Sequence, residues 1–209
     1  MGNGRVTLYR SERGLSWPAS DVRAAKAIFG TIGDLELAYR HCRGFDVAVQ
    51  AGGNCGVWPA AMGTKFRLVY TFEPDPINFR CLCANAPAEN VIKFNSALGE
   101  HHRSVGMDRR PENIGAHQVD GSGDIPTLRI DDLALHVCDL IYLDIEGYEL
   151  PALRGAEDTI KRCQPVIAIE DKGMSERYGI AKGDVVAWLE NRLKYRVAER
   201  INRDVVLVP

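Results

Sequence analysis

Three apolar runs in this chain of 209 residues end on carboxylates. Leu140-Ile141-Tyr142-Leu143 leads into Asp144-Ile145-Glu146-Gly147-Tyr148-Glu149. Val166-Ile167-Ala168-Ile169 leads into Glu170-Asp171, and Tyr70-Thr71-Phe72 into Glu73-Pro74. An acid at the end of a buried strand is costly unless it has a partner or a task. The tasks open to it are accepting a proton, accepting hydrogen bonds from hydroxyl groups, and holding a cation. Period two places Asp144 and Glu146 on one side of their strand, provided that the strand runs that far. Glu149 suits the N-terminus of the helix that follows, whose first turn holds Pro151.

A glycine turn, Gln50-Ala51-Gly52-Gly53-Asn54-Cys55-Gly56, stands directly after another apolar run. Glycines there let backbone pass close to a ligand where a Cβ would clash. The spacing Gly-Gly-x-x-Gly is a poor match to the dinucleotide fingerprint Gly-x-Gly-x-x-Gly. Glu73 follows about twenty residues later, where an ionised acid can accept both hydroxyl hydrogens of a ribose.

Residues 99–124 are polar and aperiodic, a length of loop that is usually functional or disordered. They carry His101, His102 and His117 together with Arg103, Arg109 and Arg110. The arginines would suit a phosphate or carboxylate on a substrate, or form an ordinary solvated charge run. The acids Asp144, Glu146, Glu170 and Asp171 have the oxygen chemistry of a hard-cation site. No recognised ligand spacing appears among the histidines and acids of the insert, and no metal is expected.

The elements that must position these residues alternate. Short β-branched runs at Phe45–Gln50, Arg67–Phe72, Val91–Leu98, Asp139–Asp144 and Pro165–Glu170 are separated by helix-like stretches at Pro76–Asn85 and Glu149–Cys163, with a weaker one after Gly56. This is the pattern of a parallel sheet covered by helices on both faces, with the C-terminal strand ends along one edge. Asp184–Lys194 reads as a helix, and Tyr195–Arg200 and Asp204–Val208 as a terminal antiparallel hairpin joined by Ile-Asn-Arg. Residues 1–44 read as a helical N-terminal segment and residues 1–209 as one domain.

Composition excludes several classes. A net charge of −2 supplies no global basic field for nucleic acid, and no apolar run approaches a membrane span. The six cysteines are scattered without zinc-type spacing and read as reduced, so a cytoplasmic protein is expected.

Together these motifs resemble the FkbM family of methyltransferases over roughly residues 45–172. The resemblance is carried by Gly53-Asn54-Cys55-Gly56, by Phe72-Glu73-Pro74-Asp75-Pro76 with Asn78-Phe79, and by Asn95-Ser96-Ala97-Leu98-Gly99. It continues through Asp144-Ile145-Glu146-Gly147-Tyr148-Glu149, Leu153-Arg154-Gly155-Ala156 and Ile169-Glu170. It implies the class I methyltransferase fold, a Rossmann-like three-layer α/β sandwich. Its seven-stranded, mostly parallel sheet has the order 3-2-1-4-5-7-6, with the last strand antiparallel.

The resemblance also implies S-adenosylmethionine as cofactor, held by Gln50, Ala51, Gly52, Gly53, Asn54, Gly56, Glu73, Pro74, Ser96, Ala97 and Asp144. The glycine turn would meet the methionine end, Glu73 the ribose, and Ser96 and Ala97 the adenine. The acceptor is expected to be a hydroxyl of a small molecule or glycan. Asp144 is the first candidate base, with Glu146 or Glu170 orienting it or binding substrate hydroxyls, and His117 is the second. Two positions depart from the family pattern: Gln50 stands for the usual aspartate and Tyr142 for a lysine. A nicotinamide-dependent oxidoreductase and a catalytically weak binding module are the rival readings.

Overall fold

A computed structural model describes residues 8–201 and 203–209. The first seven residues of the expected N-terminal helical segment, and Asn202 of the Ile-Asn-Arg link, lie outside the described residues.

The sheet is built from β3 (Val47–Ala51), β4 (Leu68–Phe72), β5 (Val91–Phe94), β9 (Leu140–Leu143), β10 (Val166–Glu170), β11 (Arg196–Ile201) and β12 (Asp204–Val208). Its order is β11-β12-β10-β9-β3-β4-β5. β5, β4, β3, β9 and β10 pair in parallel, and β12 runs antiparallel to both β10 and β11. The expected mostly parallel α/β sheet is therefore present.

Both faces are covered, which is why the central strands are mostly apolar rather than alternating. Val49, Ile141, Leu143 and Ile167 pack on one face against α5 (Glu149–Arg154), α6 (Glu157–Cys163) and α7 (Asp184–Leu193). Ala48, Val69, Leu140 and Tyr142 pack on the other against α2 (Leu35–Tyr39), α3 (Val57–Gly63) and α4 (Pro76–Asn85).

Four local expectations change. The N-terminal segment is not helical throughout. β1 (Tyr9–Glu12) and β2 (Leu15–Pro18) form a hairpin before α1 (Ala24–Gly30). The hairpin docks on α4: Asn85 accepts from the Ser16 N–H at 2.8 Å and donates to the Ser16 carbonyl at 2.8 Å. The run Val91–Leu98 divides into β5 and β6 (Ala97–Leu98). There Asn95 turns the chain by donating to the carbonyls of Glu73 (2.9 Å) and Pro74 (3.1 Å).

The stretch Glu149–Cys163 breaks after Arg154. The Asp131 N–H bonds the Gly155 carbonyl at 2.9 Å, and the Asp131 carboxylate accepts from the Thr159 N–H at 2.8 Å, so a second helix starts there. Finally, much of residues 99–124 is ordered strand. β7 (Ser104–Asp108) pairs antiparallel with β8 (Gln118–Leu128), and β8 also pairs with β6. Most of this hairpin is exposed or half-buried, so selection for an alternating apolar face is weak and the sequence shows none. Among the described residues no helix is long and apolar enough to cross a membrane.

Candidate active site

A cavity of about 550 Å³ opens at the C-terminal ends of β3, β4, β9 and β10. It is lined by Ala51, Gly52, Gly53, Asn54, Glu73, Pro74, Ser96, Ala97, His117, Asp144 and Glu146. The strand ends gather these residues from distant parts of the chain, as open α/β sheets do at their carboxyl edge.

The glycine turn has little room. The N–H groups of Gly52 and Gly53 both bond the Phe72 carbonyl, at 3.1 and 2.9 Å. Gly52 has a left-handed φ of +83°, and a Cβ there would lie 2.0 Å from the Asp144 carbonyl oxygen. Only glycine admits this close approach of the chain leaving β3 to the chain leaving β9.

Gln50 and Gly56 lie behind the residues that line the cavity. Gln50 is fully buried. Its amide oxygen accepts from the Thr71 hydroxyl at 2.5 Å and its nitrogen donates to the Ala51 carbonyl at 3.0 Å, so the side chain is spent inside the sheet. Gly56 starts α3 with a φ of +86° and faces Leu82, where a Cβ would lie 3.0 Å from the Leu82 Cα. Its missing side chain lets α3 pack closely on α4.

Glu73 is buried, and each carboxylate oxygen takes one backbone N–H: Asn54 at 2.7 Å and Asp75 at 2.8 Å. Burial pushes its pKa up to about 8, against the lowering effect of those two bonds. Each oxygen keeps acceptor capacity for a further donor.

At the other end, Asp144, Glu146 and Glu170 bring oxygen atoms within 4.8 Å of one another. The expected reason, a continuing strand, does not hold. β9 ends at Leu143, and Glu146 is turned back by a left-handed φ of +56°. Glu149 holds that turn, accepting from the N–H groups of Ile145 (3.2 Å) and Gly147 (3.3 Å). Burial raises the Glu149 pKa to about 7.

Lys172, absent from the sequence-derived set, lies 2.5 Å from Glu170 and 2.9 Å from Glu146. Burial works against its charge, but its bonds and charges with Glu170 and Glu146 outweigh this and raise its pKa. The Asp144 pKa is raised well above its ordinary value by burial and by the charges of Glu170 and Glu146. The trio has the oxygen donors of a hard-cation site, and the Lys172 ammonium already supplies a positive charge among them.

The remaining candidates divide. His117 lines the cavity, and its side chain is 9% exposed. The charges it feels most are those of Asp75, Arg109 and Asp108, not those of the Asp144 cluster, and burial lowers its pKa. His101 and His102 lie in solvent beside Glu100 and Asp132. Arg109 donates to Asp75 at 2.7 Å, Arg110 to Asp108 at 2.6 Å, and Arg103 to the Tyr148 hydroxyl. Asp171 faces Arg200 at 3.9 Å.

Sequence reasoning missed Lys172, Asn78, Asp204 and the wall formed by Ala27 and Ile28 of α1 with Trp58 of α3. Lys172 had a signal, since it directly follows Glu170-Asp171. The apolar wall had none, because an amphipathic helix reads the same whether it faces a sheet or a cavity.

Residues 50–197 match the family described as Methyltransferase FkbM domain. The chain belongs to the FkbM methyltransferase family. The hexuronic acid methyltransferase AglP of Haloferax volcanii is 25% identical over 198 residues, covering 90% of this chain and 77% of its own. Among solved structures, the methyltransferase FkbM from Methylobacillus flagellatus KT has a TM-score of 0.54 at 21% identity. That match covers 88% of this FkbM chain and 52% of the other, so the chain spans about half the length of that protein. The ribosomal protein L11 methylase of Lactobacillus delbrueckii subsp. bulgaricus has a TM-score of 0.51 at 9% identity, over 85% of this chain and 76% of its own. At these identities the two structures support the fold alone.

Proposed function

We propose that this FkbM methyltransferase transfers a methyl group from S-adenosylmethionine to a hydroxyl of a small-molecule or sugar-like acceptor. The observation that carries the reading is a single cavity with a ribose-type acid, Glu73, on one side of the glycine turn and the Asp144–Glu146–Glu170–Lys172 cluster on the other. Its volume of about 550 Å³ lies within the range of small-molecule and cofactor sites. The glycine turn lines the cavity with Gly52 and Gly53, and a Cβ at Gly53 would approach Thr71 Oγ1 to 2.8 Å, so only glycine lets the turn lie this close to β4. Glu73 would hold the ribose hydroxyls, with the backbone of Gly52, Gly53 and Asn54 beside the amino-acid end.

The bound cofactor supplies an electrophilic methyl on a positively charged sulfur. What the chain contributes is position and a proton acceptor. Asp144 sits on rigid support at the end of β9, its N–H bonded to the Ala51 carbonyl at 3.2 Å. Burial and the neighbouring charges of Glu170 and Glu146 raise its proton affinity, which suits a group that takes the proton of an attacking hydroxyl. Lys172 holds Glu146 and Glu170 in place, leaving their remaining lone pairs for acceptor hydroxyls. A hexuronic acid acceptor, as named for the Haloferax volcanii relative, belongs to the same sugar-like class.

The test is calorimetric titration of the chain with S-adenosylhomocysteine and with NAD, followed by methyl-transfer assays on glycosides and uronic acids. Binding of S-adenosylhomocysteine alone, with label appearing on an acceptor oxygen, is expected. Binding of NAD alone would overturn the reading.

A further inference from the structure

The family match begins at residue 50, yet part of the cavity wall comes from the chain before it: Ala24, Ala27, Ile28, Thr31 and Asp34. The first four recur at the spacing that puts residues on one face of α1 and the turn that ends it. Beside them stands a stretch from far along the chain, the helical turn Ile114–Ala116 between β7 and β8, which also lines the cavity. The two are in contact, since a Cβ at Gly115 would lie 3.5 Å from the Ala24 Cβ. Neither belongs to the seven-stranded sheet, and a helix of seven residues does not hold its shape alone in water. Their place depends on what ties them down.

One carboxylate joins them. Asp21 is 1% exposed. Its Oδ1 accepts from the N–H groups of Ala24 (3.0 Å) and Ile114 (3.3 Å). Its Oδ2 accepts from the Trp17 indole (2.9 Å) and the Ala25 N–H (3.2 Å). Burial works to raise the Asp21 pKa, but these bonds outweigh it and hold the group below its ordinary value. The Ala24 and Ala25 N–H groups open a helix and have no acceptor within it, so the carboxylate also secures the start of α1. Ile114 carries the tie onward. Its carbonyl accepts from the Asn54 amide at 3.1 Å, and the Asn54 N–H donates to Glu73 at 2.7 Å. The Val22 N–H adds a backbone bond to the Glu112 carbonyl at 3.0 Å.

Asp21 is not itself a lining residue. A ligand that fills the cavity meets both stretches, however, and binds at full strength only when both are in place. If the wall is closed in a fraction of the molecules, the apparent affinity falls by that fraction. Hydrogen bonds to an ionised acceptor are the strong kind, and Asp21 gathers several at this joint. We propose that Asp21 is a positioning residue for methyl transfer, joining α1 to the Ile114–Ala116 turn as one wall and steadying the glycine turn through Ile114 and Asn54. This rests on the cofactor reading above and adds to it a part for the chain that precedes the family match.

The experiment pairs calorimetric titration of the full chain with S-adenosylhomocysteine and amide hydrogen exchange of the free chain. Asp21→Ser leaves one oxygen to accept at the start of α1 but cannot reach Trp17 and Ile114 as well. Its affinity should fall roughly tenfold or more, as when only about one molecule in ten has the wall closed. Exchange should quicken in residues 22–31 and 113–117 together, and slow again at saturating S-adenosylhomocysteine. Asp21→Asn keeps the shape and one accepting oxygen, so it should recover part of the affinity; it serves if Asp21→Ser fails to fold. Trp17→Phe removes one bond to Asp21 but leaves that of Ile114. It should lower the melting temperature yet keep affinity within about twofold.

Wild-type affinity in Asp21→Ser overturns the inference. So does faster exchange confined to residues 22–31, which marks a helix cap and nothing more. An equal loss of affinity in Trp17→Phe overturns it too, since binding would then follow stability alone. Wild type that binds S-adenosylhomocysteine, with Asp21→Ser binding as tightly, sinks this inference alone. Wild type that does not bind it at all sinks the cofactor reading as well.

Discussion

Gln50 and Tyr142 are register partners on adjacent parallel strands, side by side on one face of the sheet. They are the two positions at which the resemblance led us to expect an aspartate and a lysine. The row continues through Thr71, the partner of Gln50 on β4, to Ala168, the partner of Tyr142 on β10. An acid and a base so placed would form a buried ion pair, and here both charges are absent together. Thr71 satisfies the Gln50 oxygen, and Trp58 meets the Tyr142 ring edge-on at 5.1 Å between centroids. Replacing a buried pair by neutral, packed groups is energetically tolerable, whereas removing one partner is not.

The first prediction follows from that row. Gln50→Asp alone should lower stability by roughly 3–5 kcal/mol, because it buries a carboxylate with no cationic neighbour. Adding Tyr142→Lys should restore much of the loss. Chemical denaturation of the four members of the cycle measures the coupling. Additive effects would mean that the two positions do not sense each other.

Glu73 makes the second prediction, on pH. Its pKa is about 8 in the folded chain against an ordinary 4.5. The folded state therefore binds the proton more tightly, and this residue's share of stability is complete below about 4.5 and declines as pH rises toward 8. Glu73→Gln should flatten that decline in thermal unfolding of the free chain. Ribose hydroxyls favour the ionised carboxylate, so cofactor binding at pH 7 should release protons in the wild type and fewer in the variant. Calorimetry in buffers of different ionisation enthalpy reads this directly.

Asp144→Asn should reduce methyl transfer by roughly 10²–10⁴-fold, the usual worth of a general base. Cofactor affinity should change little, since the isostere keeps the size and most hydrogen bonds. Loss of binding together with activity would make Asp144 a binding residue, and full activity would move the proton acceptor elsewhere.

Lys172→Met should leave Glu146 and Glu170 facing each other without their shared cation. Transfer should slow by at least about tenfold as the carboxylates separate or take up a proton. Isothermal titration with Mg²⁺ should detect tighter binding in the variant than in wild type, because the oxygen donors remain and the ammonium is gone. Equal Mg²⁺ binding and unchanged turnover would show that Lys172 is a bystander.

The sequence by itself determined the parallel sheet, the edge on which the site lies, and the acids Glu73, Asp144 and Glu170 that reach it. Apolar strands long enough to be buried on both faces can be read locally, and so can the acid at each strand's end. Tertiary structure alone decided how those ends meet. Gln50 is withdrawn into the sheet because Thr71 is its register neighbour, a pairing that depends on strand order. Glu146 joins Asp144 through a left-handed turn where the strand pattern implied a straight run. His117 reaches the cavity because β7 and β8 pair, and that pairing rests on backbone hydrogen bonds between mostly exposed strands that carry no periodic apolar signal. Lys172 meets Glu146, 26 residues earlier in the chain, a proximity that only the packed sheet supplies.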